Sequence, residues 1–143
     1  MDFMHLFLSF EGRISRTTFW IGVGILFVVE SIAQYAVGQV GNDQVSAVVD
    51  LVFAFPEFAV AAKRAHDRNI STWLILLFFA GAVGLDVLML GGWDVTGDKP
   101  STAFLAILVP WGVFALVLLI DLGFRRGTQG PNAYGPDPLA DKE

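Results

Sequence analysis

An all-α integral membrane protein is the fold class this sequence predicts: four transmembrane helices in a bundle, with the N and C termini cytoplasmic. Three observations predict it. Hydrophobic residues make up 55% of the 143 and charged residues only 16%, against the ~25% charge usual in soluble domains. The apolar residues gather into four long runs, each close to the ~17–25 residues that cross a bilayer as helix. The basic residues fall almost entirely on one side of those runs. Helix is the geometry that suits runs apolar on most faces, because a closed barrel needs strict alternation. The length predicts a single membrane domain, residues 1–143.

The chain opens with "MDFMHLFLSF", in which Phe3, Leu6, Phe7 and Phe10 recur at helical spacing. This short amphipathic segment is expected to lie along the inner interface as an anchor, or to form a protomer contact. The first span covers about 19–40. It lacks a small-residue cleavage pattern, so it is expected to insert and stay. The second, weaker span covers about 45–62, the third 73–92 and the fourth 102–124. Pro110 and Trp111 in mid-span suggest a kinked fourth helix. Small residues make the third span a candidate for close packing through Gly81 and Gly84, and the first more weakly through Gly22 and Gly24. Residues 125–143 turn polar and rich in Gly and Pro, an irregular cytoplasmic tail.

Orientation follows from the bases. Arg13 and Arg16 precede the first span, Lys63, Arg64 and Arg68 separate the second and third, and Arg125, Arg126 and Lys142 follow the fourth. Only Lys99 falls on the other side, in the loop with Asp94 and Asp98. The positive-inside rule then places both termini and the central loop in the cytoplasm. Trp20, Trp73 and Trp93 fall at predicted interfaces.

Acids inside the spans are costly, at ~2.5–3.5 kcal/mol for an Asp near a helix centre. Glu30, Asp50, Glu57 and Asp86 should therefore face other helices or water. Asp50 and Glu57 are seven apart and share a face, which Arg64 continues, and Glu30 and Gln34 are four apart. These side chains either line a path for a proton or cation, or act as polar glue between helices or protomers.

Several activities are excluded or unsupported. The chain has no cysteine, which removes thiolate metal sites and cysteine nucleophiles. A net charge of −5 argues against nucleic-acid binding. His66-Asp67 echoes a metal dyad, but further ligands at metal-site spacing are missing. There is no nucleophile elbow, P-loop or dinucleotide fingerprint. No metal, no cofactor and no enzymatic activity are expected.

Three polar segments remain: "FEGRISRTTFW" (10–20), "KRAHDRNISTW" (63–73) and "GTQGPNAYGPDP" (127–138). Ser15 and Ser71 suit helix N-caps. Asp67 and Asp137 are natural partners for nearby arginines, and Asn132, Gly135 and the prolines suit tight turns. The tail is therefore expected to fold back on the central loop, as a salt-bridged cap on the helix ends. The sharper reading is an anionic lipid head-group or phosphate site built from Arg13, Arg16, Lys63, Arg64 and Arg68. His66 is expected to be bonded to neighbouring backbone or to Asp67.

Read together, these motifs resemble a family of small bacterial inner-membrane proteins, domain of unknown function 805. Its Gly-Arg-x-x-Arg-x-x-(aromatic)-Trp start maps onto Gly12, Arg13, Arg16, Phe19 and Trp20. Its Arg-x-His-Asp loop with Ser-x-Trp maps onto Arg64, His66, Asp67, Ser71 and Trp73. Its Gly-x-Asn-x-Tyr-Gly-x-Asp-Pro close maps onto Gly130, Asn132, Tyr134, Gly135, Asp137 and Pro138. Ile70 stands where the family often has glycine, and Lys63-Arg64 where it usually has Arg-Arg. The resemblance implies a multi-pass protein of the bacterial inner membrane and no particular activity. The expected function is non-enzymatic association with membrane lipids, anionic ones among them, or with a protein partner or further copies, at the cytoplasmic face. The alternative is a small oligomeric channel or transporter for protons or cations.

Overall fold

The computed structural model describes residues 2–41, 43–93, 95–96 and 99–140. Asp94, Asp98 and Lys142, which entered the charge argument, lie outside the described residues. The described residues form five helices: α1 (Phe3–Leu8), α2 (Arg16–Gly38), α3 (Asp43–Asp67), α4 (Thr72–Leu90) and α5 (Thr102–Phe124). A two-residue antiparallel pair, β1 (Val95–Thr96) and β2 (Lys99–Pro100), joins α4 to α5. Four of the helices are long and apolar enough to cross a membrane. Only 11–17% of the residues in their most apolar stretches are buried within the protein. The rest of that apolar surface is offered outward, where lipid is its natural solvent.

Local chemistry explains where the helices start. Ser15 accepts a hydrogen bond from the Thr18 amide, Ser71 from the Trp73 amide and Ser101 from the Phe104 amide. Each hydroxyl satisfies an amide that the first turn leaves without a partner. The end of α3 departs from expectation. Apolar counting stops at Ala62, but the helix continues through Lys63, Arg64, Ala65, His66 and Asp67. The central loop expected between the second and third spans therefore starts later than expected, and the turn proper begins at Arg68. Asn69 takes the left-handed conformation (φ 57°), and the Ile70 amide reaches back to the Ala65 carbonyl at 2.8 Å. This Schellman arrangement ends α3. Gly92 (φ 71°) ends α4 in the same way, with the Trp93 amide bonded to the Leu88 carbonyl.

Packing follows chain order. α2 lies most extensively against α3, α3 against α4, and α5 touches both α4 and α2. The apolar core gathers Leu6, Phe19, Leu26, Val60, Ile75, Leu118 and Leu122. Leu6 brings α1 into that core, so the N-terminal segment docks on α3 while Phe3, Met4 and Leu8 stay exposed. Close packing uses only some of the expected glycines. Gly22 faces Val60 and Gly81 lies under Trp111, but Gly24 and Gly84 face open space. Gly123 is a further one: a Cβ there would sit 2.6 Å from the Trp20 ring. Gly123→Ala is thus expected to destabilise the protein by ~1–3 kcal/mol through overpacking. Gly24→Ala should be near neutral, and thermal unfolding in detergent compares the two.

Candidate functional site

The site is built on the last turns of α3. Among the described residues, the largest fully buried side chains are two cations, Arg64 and Lys63. A buried charge survives only if other groups replace its water. Lys63 does this with backbone. Its Nζ donates to the carbonyls of Leu6 and Ser9, both at 2.6 Å, and to that of His5. These carbonyls lie at the end of α1, where a helix leaves its acceptors unsatisfied. Lys63 thus caps α1 from another helix.

Arg64 and Asp67, three residues apart, form an ion pair on the same helix. Asp67 also receives Arg13, whose Nε and Nη2 approach its Oδ1 at 3.1 and 3.0 Å. Two guanidiniums on one carboxylate leave a buried excess of positive charge. Backbone dipoles absorb it. Arg13 donates to the carbonyls of Thr128 (2.6 Å), Gly130 (2.7 Å) and Gly135 (3.2 Å). Arg64 donates to those of Leu122 and Arg125, both at 2.6 Å, and more weakly to Ile14. The tail must approach closely to supply these groups. The Thr128 amide donates to the Asp67 carbonyl at 2.8 Å, and Gly127 lies so near that a Cβ would collide with the Asp67 carboxylate. Glycine is needed at 127 for that approach.

His66 is held on three sides. Its Nδ1 lies 3.2 Å from the Gly12 carbonyl and its Nε2 2.6 Å from the Thr72 hydroxyl. A carbonyl can only accept, so Nδ1 carries the proton; in the neutral ring Nε2 then accepts from Thr72. Its partners are therefore distant backbone and a hydroxyl, rather than Asp67 or neighbouring backbone. The ring stacks on Tyr134, centroids 4.0 Å apart. Asn132 donates to the His66 carbonyl at 2.8 Å and accepts from the Tyr134 amide.

Asp137 was expected to pair with arginine. Instead it accepts from the amides of Leu139 (3.0 Å) and Gly130 (2.8 Å). Those two amides hold its carboxyl below the usual carboxylate range. A depressed pKa makes the stabilisation fully present above the ordinary carboxylate pKa and lost as pH falls through the folded value. The protection factor of the Gly130 amide, its exchange rate compared with the intrinsic rate at each pH, should thus be constant near neutral pH and fall only in acid. In Asp137→Asn that acid-dependent loss of protection should disappear.

The five cations considered for an anion divide accordingly. Arg13, Lys63 and Arg64 are committed inside the protein. Arg68 pairs with Asp121 at 3.2 Å and donates to the Arg126 carbonyl. Asp121, which also pairs with Arg125 at 2.7 Å, was not singled out; its spacing of four from Arg125 is the signal that could have found it. Arg16 stands apart. It is exposed and gives one hydrogen bond, from Nη1 to the Phe124 carbonyl at 3.2 Å.

A second polar group lies among the helices, away from this junction. Glu30, Asp50, Glu57 and Asp86 line a mostly apolar cavity of about 490 Å³ with Phe78 and Trp111. Gln34 donates to Asp50 and to the Ser46 carbonyl. Arg64, on the same sequence line as Asp50 and Glu57, belongs to the Asp67 junction instead.

Fold and site together define a multi-pass membrane protein whose polar end is closed by a buried, backbone-solvated ion-pair junction of three distant segments. The chain belongs to the family described as "Protein of unknown function (DUF805)", whose model matches residues 7–136. It is 34% identical over 139 residues to the uncharacterized protein YiiR of Escherichia coli K12, covering 96% of this chain and 90% of the relative. It is 25% identical over 138 residues to the inner membrane protein YhaH of the same strain, covering 92% and 88%. No solved structure matches. With its four membrane-length helices, the chain is an inner-membrane protein of this family.

Proposed function

We propose that this is a non-enzymatic bundle protein that works by association with lipid or a protein partner at its polar end, and that this end faces the cytoplasm. One observation carries the reading: the chemically capable side chains there are already engaged within the protein. Both His66 nitrogens and both Asp67 oxygens have partners. Such a junction shapes a surface and leaves its acids and bases committed. The excess of bases at this end supports the orientation. Extraction into native nanodiscs followed by lipid analysis tests the lipid arm. Enrichment of anionic phospholipid over the surrounding membrane is expected, and a composition identical to bulk would remove that arm. A reporter fused after Glu143 that read periplasmic would overturn the orientation.

A second reading is favoured by the four acids converging on one cavity. In it the protein is a small oligomeric channel or transporter for protons or cations. Proton flux in liposomes that is lost in Glu57→Gln would establish this reading and remove the first.

A further inference from the structure

Two hollows meet at the N-terminal end of α2. One is a polar cavity of about 240 Å³, whose charged walls are Arg16, Arg64 and Arg126 with Asp67 and Asp137. The other is an open groove of about 590 Å³ between α2 and α5, lined by Arg16, Thr17, Trp20, Ile21, Gly123 and Phe124. Arg16 is common to both.

We propose that this seam holds an anionic glycerophospholipid, with its phosphate in the polar cavity beside Arg16 and one acyl chain along the groove past Trp20, Ile21 and Phe124. The proposal rests on the lipid arm of the function above and gives it a place. Charge complementarity carries the head group. Asp67 is neutralised by two guanidiniums, and the Asp137 carboxylate is met by two amides. Arg16 keeps Nε and Nη2 available, because its hydrogen bond to the Phe124 carbonyl uses Nη1 alone. The groove is pre-shaped for a chain. Trp20 Nε1 is fixed to the Gly123 carbonyl at 3.0 Å, and the ring packs edge-on against Phe124 at 5.5 Å. Glycine at 123 keeps the groove floor low. A soluble anion would use the polar cavity alone. The continuation onto the apolar face of two membrane-length helices selects a lipid.

The test is native mass spectrometry of the full chain with dioleoyl phosphatidylglycerol or dioleoyl phosphatidylcholine. A preference of roughly fivefold for the anionic lipid is expected, the size of one interfacial charge contact. Arg16→Gln should abolish the preference and Arg16→Lys should keep most of it. Ile21→Trp, which narrows the groove, should weaken retention of both lipids. Both positions are exposed, so these variants should fold. Preference for phosphatidylglycerol unchanged in Arg16→Gln, together with undiminished retention in Ile21→Trp, would overturn this site while leaving lipid association standing. No preference in the wild type would overturn both. Displacement of the lipid by millimolar glycerol 3-phosphate would overturn the lipid in favour of a soluble anion. A dimer lost in Ile21→Trp would assign the groove to a second copy and overturn the proposal.

Discussion

Replacing Asp67 by asparagine is expected to lower stability by ~3–5 kcal/mol, the range for removing one partner of a buried ion pair. The side chain is almost fully buried and stands between two guanidiniums that are themselves buried. Backbone carbonyls solvate the surplus charge of the native site, but they cannot also replace the only carboxylate between Arg13 and Arg64. Unfolding in detergent, followed by loss of helix signal, measures the change. A loss below ~1 kcal/mol would mean that water reaches the site and screens it. Coupling gives a sharper check. Arg13→Met alone should also be costly, yet in the Asp67→Asn background it should cost little or even restore stability, because it removes a stranded charge. Strict additivity would show that the two residues act separately.

Lys63→Met is expected to cost about 2–3 kcal/mol, since at least one buried carbonyl at the end of α1 loses its donor. The cost should be local. α1 has six residues and cannot hold itself together in isolation. Its position depends on Leu6 in the core and on the Lys63 cap. The variant should release the first ten or so residues to protease while the long helices stay intact. Lys63→Arg should not rescue fully, because a planar fork cannot converge on three carbonyls as a compact ammonium does. Unchanged protease resistance in Lys63→Met would mean that Leu6 alone anchors the segment.

Much of this architecture was legible from residue patterns. The four apolar runs predict the four long helices because lipid imposes one length and one polarity. Ser15 and Ser71 were readable as caps because capping is a local matter of one hydroxyl and one amide. The end of α3 was not readable. Charge normally marks a helix end in a membrane protein, and nothing in "KRAHDR" says that Lys63 and Arg64 are the largest fully buried side chains among the described residues. Their partners are mainly carbonyls, which every residue has, so no residue type announces them. The return of the tail to the central loop was expected from opposite charges and turn residues, whereas the tail carbonyls that receive Arg13 were not. The role of Gly127 was not foreseen, because its value lies in a close approach between segments 60 residues apart in sequence.

The Asp67 junction also carries information about time. Its contacts join Arg13, made early, to Gly130 and Gly135, made more than a hundred residues later. While the ribosome is still producing α5, Arg13 and Arg64 have a carboxylate but lack most of their carbonyl solvation. The polar end therefore cannot mature during insertion of the first spans and must close after the tail has left the exit tunnel. A chain stopped after Phe124 should insert all its helices yet leave that end open to membrane-bound proteases. Pulse-chase comparison of its lifetime with that of the full chain measures this directly. The buried ion-pair junction can therefore be complete only on a chain synthesised through Gly135.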